Sequence, residues 1–394
     1  MIKFFERIAD YIRETDKILI LLCTAASLFG AVMVLSATYI SSGAQKFAVQ
    51  LIGFALGLFV AILISLVDYQ FFIKRWYIFA AFATGLVLLT FKFGFAPEGT
   101  DDKAWLQLPF GQTIQPSELL KIGFIISFSK HISSIKPERI SDFKNVLLLC
   151  IHGMIPVALI HFQGDDGSAM VIFFIFLTML FVSGVRPVYF AAAGGIIAAA
   201  LPIMWFFVMN TDQKSRLLAL FDPASFTDII YQQSRGQTAI GSGGLFGHGL
   251  FHGPYVQDGK IPLGFNDFIF ASIGEELGFI GCLAAMGLIA AICFRILKVG
   301  KKARDKSGKI ICSGVFAMFA GQCIINIGMC LSLLPVIGVT LPFFSAGGTS
   351  TVCLYLGIGL VLSVFCHRNI KPIVISYVPS QDGIKRSLYT PFPS

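Results

Sequence analysis

Asp267 stands where a polar segment gives way to an apolar run, in Gly264-Phe265-Asn266-Asp267-Phe268-Ile269-Phe270. A carboxylate partly withdrawn from water has a raised pKa and can act as a general base. The plainer alternative is a helix N-cap. Glu275 and Glu276 follow about two helical turns deeper and are expected to bond helices together. Glu118 and Lys121, spaced i, i+3 after Gln115-Pro116-Ser117, share one helix face. Buried in a bundle, the pair either neutralises itself or frees Lys121 to meet a phosphate. Asp165 and Asp166 open another apolar run. One of them suits a helix N-terminus, and two together could share a divalent cation if further oxygen ligands were supplied.

Two glycine-rich segments complete the polar inventory. Gly241-Ser242-Gly243-Gly244-Leu245-Phe246-Gly247-His248-Gly249 lacks the Lys-Ser/Thr ending and preceding strand of a phosphate-binding loop, so a flexible hinge is expected. His248 and His252 read as solvated loop residues. From Leu334 to Ser350, after Asn326-Ile327-Gly328-Met329, two prolines and three glycines between apolar runs read as a broken or re-entrant segment, permitted at membrane depth only where buried or lining a cavity.

The elements that must position these residues are membrane helices. Charged residues are 13% of the 394, against ~25% in an ordinary soluble domain, and hydrophobic residues are 56%. Ten apolar stretches, near 18–38, 47–67, 76–94, 115–133, 145–162, 167–184, 187–209, 268–297, 310–333 and 349–366, mostly have the length of a membrane-spanning helix. The stretch at 115–133 is interrupted by Glu118, Lys121, Lys130 and His131, and counting it requires its polar face to point into the bundle. With the N-terminus inside, inner segments hold 20 Lys and Arg and outer segments 6. Both termini are therefore expected in the cytoplasm. The net charge of +8 is explained by anionic lipid, without nucleic acid.

The expected architecture is an all-α polytopic membrane protein of about ten helices. It forms a single integral membrane domain over 1–394, comprising a cytoplasmic start (1–17), a bundle (18–366) and a cytoplasmic tail (367–394). One long outer loop, near 210–267, is where chemistry is expected. None of the nine cysteines forms a CxxC motif, and all fall in apolar stretches, so neither a disulfide framework nor a zinc site is indicated.

Five motifs, in order along the chain, resemble the SEDS family (shape, elongation, division and sporulation), whose members include RodA, FtsW and SpoVE. They are Trp105 with Gln115-Pro116-Ser117-Glu118 and Lys121; Gln163-x-Asp165-x-Gly167-Ser168-Ala169; the run from Ala239 to Gly249; Asp267-Phe268-Ile269-Phe270-Ala271 with Glu275-Glu276-Leu277-Gly278; and Asn326-Ile327-Gly328-Met329 with the run from Leu334 to Gly348.

The resemblance implies a peptidoglycan glycosyltransferase of the bacterial cytoplasmic membrane. It would polymerise lipid II at the outer face for elongation, division or sporulation, with a class B penicillin-binding protein as transpeptidase partner. Asp267 matches the family's essential aspartate, and Glu118, Lys121 and Asp165 match polar positions lining its cavity. On that reading Asp267 takes the proton of an acceptor hydroxyl as it attacks the anomeric carbon of a polyprenyl-linked glycan. The displacement is single and inverting. The departing polyprenyl pyrophosphate needs cations, for which Lys121, Lys103, Arg216 and Arg235 are the candidates. Ser345 joins them as a candidate substrate contact. The metal requirement is left open, a divalent cation such as Mg2+ or Mn2+ being the candidate cofactor. Two alternatives are a lipid II flippase or transporter and a non-catalytic scaffold for the transpeptidase.

Overall fold

The computed structural model describes residues 14–40, 44–96, 103–107 and 113–369. The expected cytoplasmic start and tail lie largely outside these, as do Asp101 and Asp102. A helix covers each of the ten apolar stretches: α1 (Lys17–Thr38), α2 (Ala44–Leu66), then, after the short α3 (Tyr69–Lys74), α4 (Trp76–Phe93), α5 (Pro116–Ser134), α6 (Phe143–Gln163), α7 (Asp166–Val182) and α8 (Pro187–Ile203). The segment 210–267 adds α9 (Thr211–Leu218), α10 (Thr227–Ser242) and α11 (Pro254–Gln257). The chain then completes the bundle with α12 (Ile269–Lys301), α13 (Lys306–Cys330) and α14 (Gly348–Cys366). Among the described residues, eight helices are long and apolar enough to cross a membrane. The other two stretches are α7, which is apolar but only 17 residues long, and the polar α5.

Burial explains why α5 tolerates its charges. Ser117, Glu118, Lys121, Ser127 and Ser129 are all buried along with its apolar residues. The helix is surrounded by protein, so its polar groups meet one another or polar groups of neighbouring helices and not hydrocarbon. The peripheral helices do the reverse: Leu21, Ile52, Phe59, Phe82 and Phe294 are exposed, an apolar outer surface that suits lipid and would be a liability in water.

The segment 210–267 is more regular than a loop. α10 buries Gln233, Gly236 and Ala239, and a Cβ at Gly236 would lie 3.0 Å from the Phe268 ring. α11 is held at its N-terminus by Glu275, whose carboxylate accepts from the Tyr255 and Val256 N–H groups at 2.7 and 2.8 Å. Glu276 accepts from Ser36 Oγ of α1 at 2.8 Å and from Gln257 at 2.9 Å. Both glutamates thus bind elements together, as their depth in the sequence suggested.

The glycine run departs from expectation. It is neither a free hinge nor a phosphate cradle: it docks into a break in α12 at Gly278, which has φ 67° and ψ −163°. His248 and Gly249 donate their N–H groups to the carbonyls of Glu275 and Glu276 at 3.0 and 2.9 Å. Phe279 and Ile280 donate theirs to Gly244 and Leu245. The break frees helical carbonyls and amides, and the glycine run satisfies them. Contact is so close that a Cβ on Gly278 would collide with the Gly247 nitrogen and the Leu245 carbonyl. Gly278→Ala is therefore expected to lower stability by about 1–3 kcal/mol or more, since it adds a clash to a left-handed φ. A detergent-solubilised melting curve indistinguishable from wild type would refute this account of the break.

Candidate functional site

Asp267 lies immediately before α12 and is buried. It is not the cap of that helix: Phe268 occupies the N-cap position, and no side chain caps the first turn. Its own carbonyl is fixed instead, accepting from Asn326 Nδ2 at 2.7 Å. Asn326 donates also to the Val339 carbonyl at 2.7 Å, so one buried amide on α13 pins the Asp267 backbone to the segment that follows Cys330. No hydrogen-bond donor among the described residues reaches the Asp267 carboxylate. Burial first, and then the negative charge of Asp165, push its pKa up to about 6.

The segment from Leu331 to Gly347 organises the site. It is a folded, non-helical insertion that makes few hydrogen bonds within itself, so its backbone groups are met by side chains from elsewhere. Gln233 of α10 donates to the Leu334 carbonyl at 2.8 Å and Arg216 of α9 to that of Val336 at 3.2 Å. Gln50 of α2 spans Ser345 and Gly347, donating to the Ser345 carbonyl at 3.2 Å and accepting from the Gly347 N–H at 3.0 Å. Gly338, at φ 63°, faces Asp267: a Cβ there would lie 3.8 Å from its Oδ2. Gly167 of α7 packs so tightly on the Ile337 carbonyl that no larger residue fits. The Ser345 hydroxyl accepts from the Leu341 N–H at 2.7 Å and donates to the Asn266 carbonyl at 2.8 Å. It ties this segment to the residue beside Asp267.

Asp165 caps α7, its Oδ1 accepting from the Ser168 N–H at 2.9 Å. Its Oδ2 accepts from Gln115 Nε2 at 2.7 Å and Ser117 Oγ at 2.9 Å, which joins α7 to the start of α5. Asp166 points elsewhere, to His161 at 2.6 Å and Gln213 at 3.1 Å. The adjacent aspartates therefore do not form a joint pocket. One turn into α5, Lys121 Nζ donates to Glu118 Oε1 at 2.7 Å, with the two side chains 1% and 7% exposed. Among the described residues, Glu118 Oε2 has no hydrogen-bond partner and is buried.

The structure thus gathers Asp267, Asp165 and Ser345 around one broken segment, with Glu118 and Lys121 on the helix that Asp165 holds. Of the other cations, Arg216 reaches the same segment through the Val336 carbonyl and lines, with Val336, Asp228, Gln232, Gln233 and Pro262, a cavity of about 450 Å³. Lys103 is exposed, and Arg235 lies over the Tyr231 ring at 5.3 Å. Among the described residues no three His, Cys, Asp or Glu side chains converge as a metal-ligand set. Gln50 and Gln233 also hold this geometry and lie outside the five motifs. The sequence signal for Gln50 is an amide within an apolar run.

The fold and site together define a multi-pass membrane protein that buries an ionisable carboxylate beside a broken helical segment at one end of its bundle. The cell cycle protein family of FtsW, RodA and SpoVE matches over residues 16–370, and the chain belongs to it. It is a protein of the bacterial cytoplasmic membrane. The peptidoglycan glycosyltransferase MrdB of Escherichia coli K12 is 33% identical over 72% of this chain and 76% of its own length. A probable peptidoglycan glycosyltransferase FtsW of Trichlorobacter lovleyi is 29% identical over 93% and 96%. Among solved structures, a chain from a study of how a peptidoglycan synthase complex coordinates polymerization and crosslinking superimposes with a TM-score of 0.78. It is 26% identical and covers 91% of this chain and 99% of its own. The rod shape determining protein RodA of Thermus thermophilus superimposes with a TM-score of 0.66 at 25% identity, over 91% and 98%.

Proposed function

We propose that this chain is a peptidoglycan glycosyltransferase that polymerises lipid II at the outer face of the membrane through Asp267. Ten helices span the bilayer in this reading, with both termini in the cytoplasm, and the end carrying Asp267 faces outward. The observation that carries the mechanism is the burial of the Asp267 carboxylate with no donor among the described residues reaching it, which raises its pKa to about 6. Such a group is ionised at neutral pH yet remains basic enough to accept a proton in a transition state.

The acceptor sugar hydroxyl gives its proton to Asp267 as the oxygen attacks the anomeric carbon of the lipid-linked donor. The bond from that carbon to the polyprenyl pyrophosphate breaks in the same displacement, inverting the centre. α5, α7, α12 and α14 all begin at this end of the bundle. Helix N-termini carry partial positive charge and favour a departing anion. Lys121 is the first-choice cation for the pyrophosphate, with Lys103, Arg216 and Arg235 after it. Glu118 positions Lys121, and Asp165 holds α5 against α7 so that both face the reaction. The chain works beside a transpeptidase of the class B penicillin-binding protein type, the polymer passing from one to the other for crosslinking.

Polymerisation of purified lipid II, followed by gel separation of glycan strands, tests the activity directly. Its pH dependence tests the base. Because the base must be deprotonated, turnover is expected to climb with pH and reach half its plateau near pH 6. A rate constant flat across roughly pH 5 to 8 would rule out Asp267 in that role.

A further inference from the structure

The far end of α12 holds a second cavity, of about 640 Å³, between the last turns of α12 and the first turns of α13. α12 is 33 residues long, so at ~1.5 Å per residue this cavity lies on the order of 40 Å from Asp267. Its walls are apolar, with Phe294 and Leu297 of α12 and Val182 of α7, and Phe294 is 69% exposed toward the bundle's outer surface. Its rim carries Lys298, Lys301, Lys302 and Lys309.

The charge around this cavity is unbalanced. Nearby arginines are neutralised: Arg295 pairs with Asp16 at 2.7 Å and Arg304 with Asp68 at 3.0 Å. None of the four lysines forms an ion pair with a carboxylate among the described residues. Four uncompensated cations beside one cleft favour an anion, and an apolar cleft that opens toward lipid favours a chain of methylenes. A soluble anion would leave the cleft unused, whereas a neutral lipid would leave the lysines unused. Basic pockets between helices on the cytoplasmic side select phosphate-bearing head groups for this reason.

We propose that this cleft binds an anionic phospholipid of the cytoplasmic leaflet, its phosphate held by the four lysines and an acyl chain laid along Phe294, Leu297 and Val182. The leaflet rests on the orientation proposed above, whereas the cleft itself is independent of the polymerase chemistry, and its test uses no turnover. Full-length protein would be transferred into nanodiscs of phosphatidylcholine containing a small fraction of phosphatidylglycerol with a photoreactive acyl chain, and cross-linked positions mapped by mass spectrometry. Native mass spectrometry would compare retention of phosphatidylglycerol and phosphatidylcholine by wild type, Lys298→Gln/Lys309→Gln and the charge-keeping Lys298→Arg/Lys309→Arg.

Cross-links are expected to concentrate at Phe294, Leu297 and Val182. Wild type is expected to retain the anionic lipid roughly tenfold more strongly than phosphatidylcholine, the Gln pair to lose most of that preference, and the Arg pair to keep it. Excess inorganic phosphate is expected to leave the lipid in place. Cross-links spread evenly over the bundle, equal retention by wild type and the Gln pair, or displacement by phosphate alone would each overturn the proposal. If the Gln pair fails to fold, the wild-type cross-link map still decides.

Discussion

Asp267→Asn is expected to lower glycan polymerisation from lipid II by ~10²–10⁴-fold, the usual contribution of a general base, while leaving the protein folded and able to bind lipid II. The substitution keeps shape and removes only basicity. Nothing in the packing depends on the charge: the carboxylate has no donor to lose, and the backbone is held by Asn326 through the carbonyl, which is unchanged. A neutral amide also removes the repulsion between the charges of residues 267 and 165, so stability should be equal or slightly higher. The comparison is of wild type and variant at equal concentration in the same liposomes, with a melting curve and a lipid II binding measurement beside the assay. Lost turnover with retained melting and binding is the expected pattern. Normal turnover would remove Asp267 from the chemistry and return the protein to a scaffolding or transport role.

The second large effect concerns Glu118 and Lys121. Their contact is short and almost fully enclosed, and removing one partner strands the other charge where water cannot reach it. Glu118→Gln and Lys121→Met are each expected to cost about 3–5 kcal/mol, whereas the double variant recovers most of that loss because no unpaired charge remains. Stability alone would make the pair a self-contained brace. Turnover separates the two roles: if Lys121 meets the departing pyrophosphate, the stable double variant should still be slower by ~10²–10³-fold, as when a preorganised electrostatic contact is lost. A double variant that is both stable and fully active would reduce the pair to a brace.

Much of this site depends on local spacing and could be read in the chain. The Glu118–Lys121 contact follows from i, i+3 helical geometry. The Asp165 cap follows from an aspartate opening an apolar run, and the placement of Asp267 at a helix entry from the change of polarity at residues 266–268. The apolar stretches likewise located a helix in every case, because length and hydrophobicity are local quantities. Even α5, the least apolar, was marked by its charges as a helix that must face protein.

What the chain alone left undecided are relations between distant segments. Asp165 and Asp267 are remote in sequence, and their electrostatic coupling exists only because α7 and the entry to α12 meet at the Leu331–Gly347 segment. The same pairing made Asp267 a free carboxylate and not a cap: Phe268 took the N-cap position, a choice of backbone geometry that composition does not encode. The glycines from Gly241 to Gly249 looked like a hinge because glycine permits motion. Here it permits approach, and the partner that makes this visible, the break at Gly278, is a single φ angle in a segment that reads as continuous helix. Gln50 and Gln233 acquire their roles from carbonyls in a non-helical segment that only the fold brings within reach. Local periodicity is written in the order of residues, whereas the satisfaction of buried backbone groups in a membrane is settled by which segments pack together.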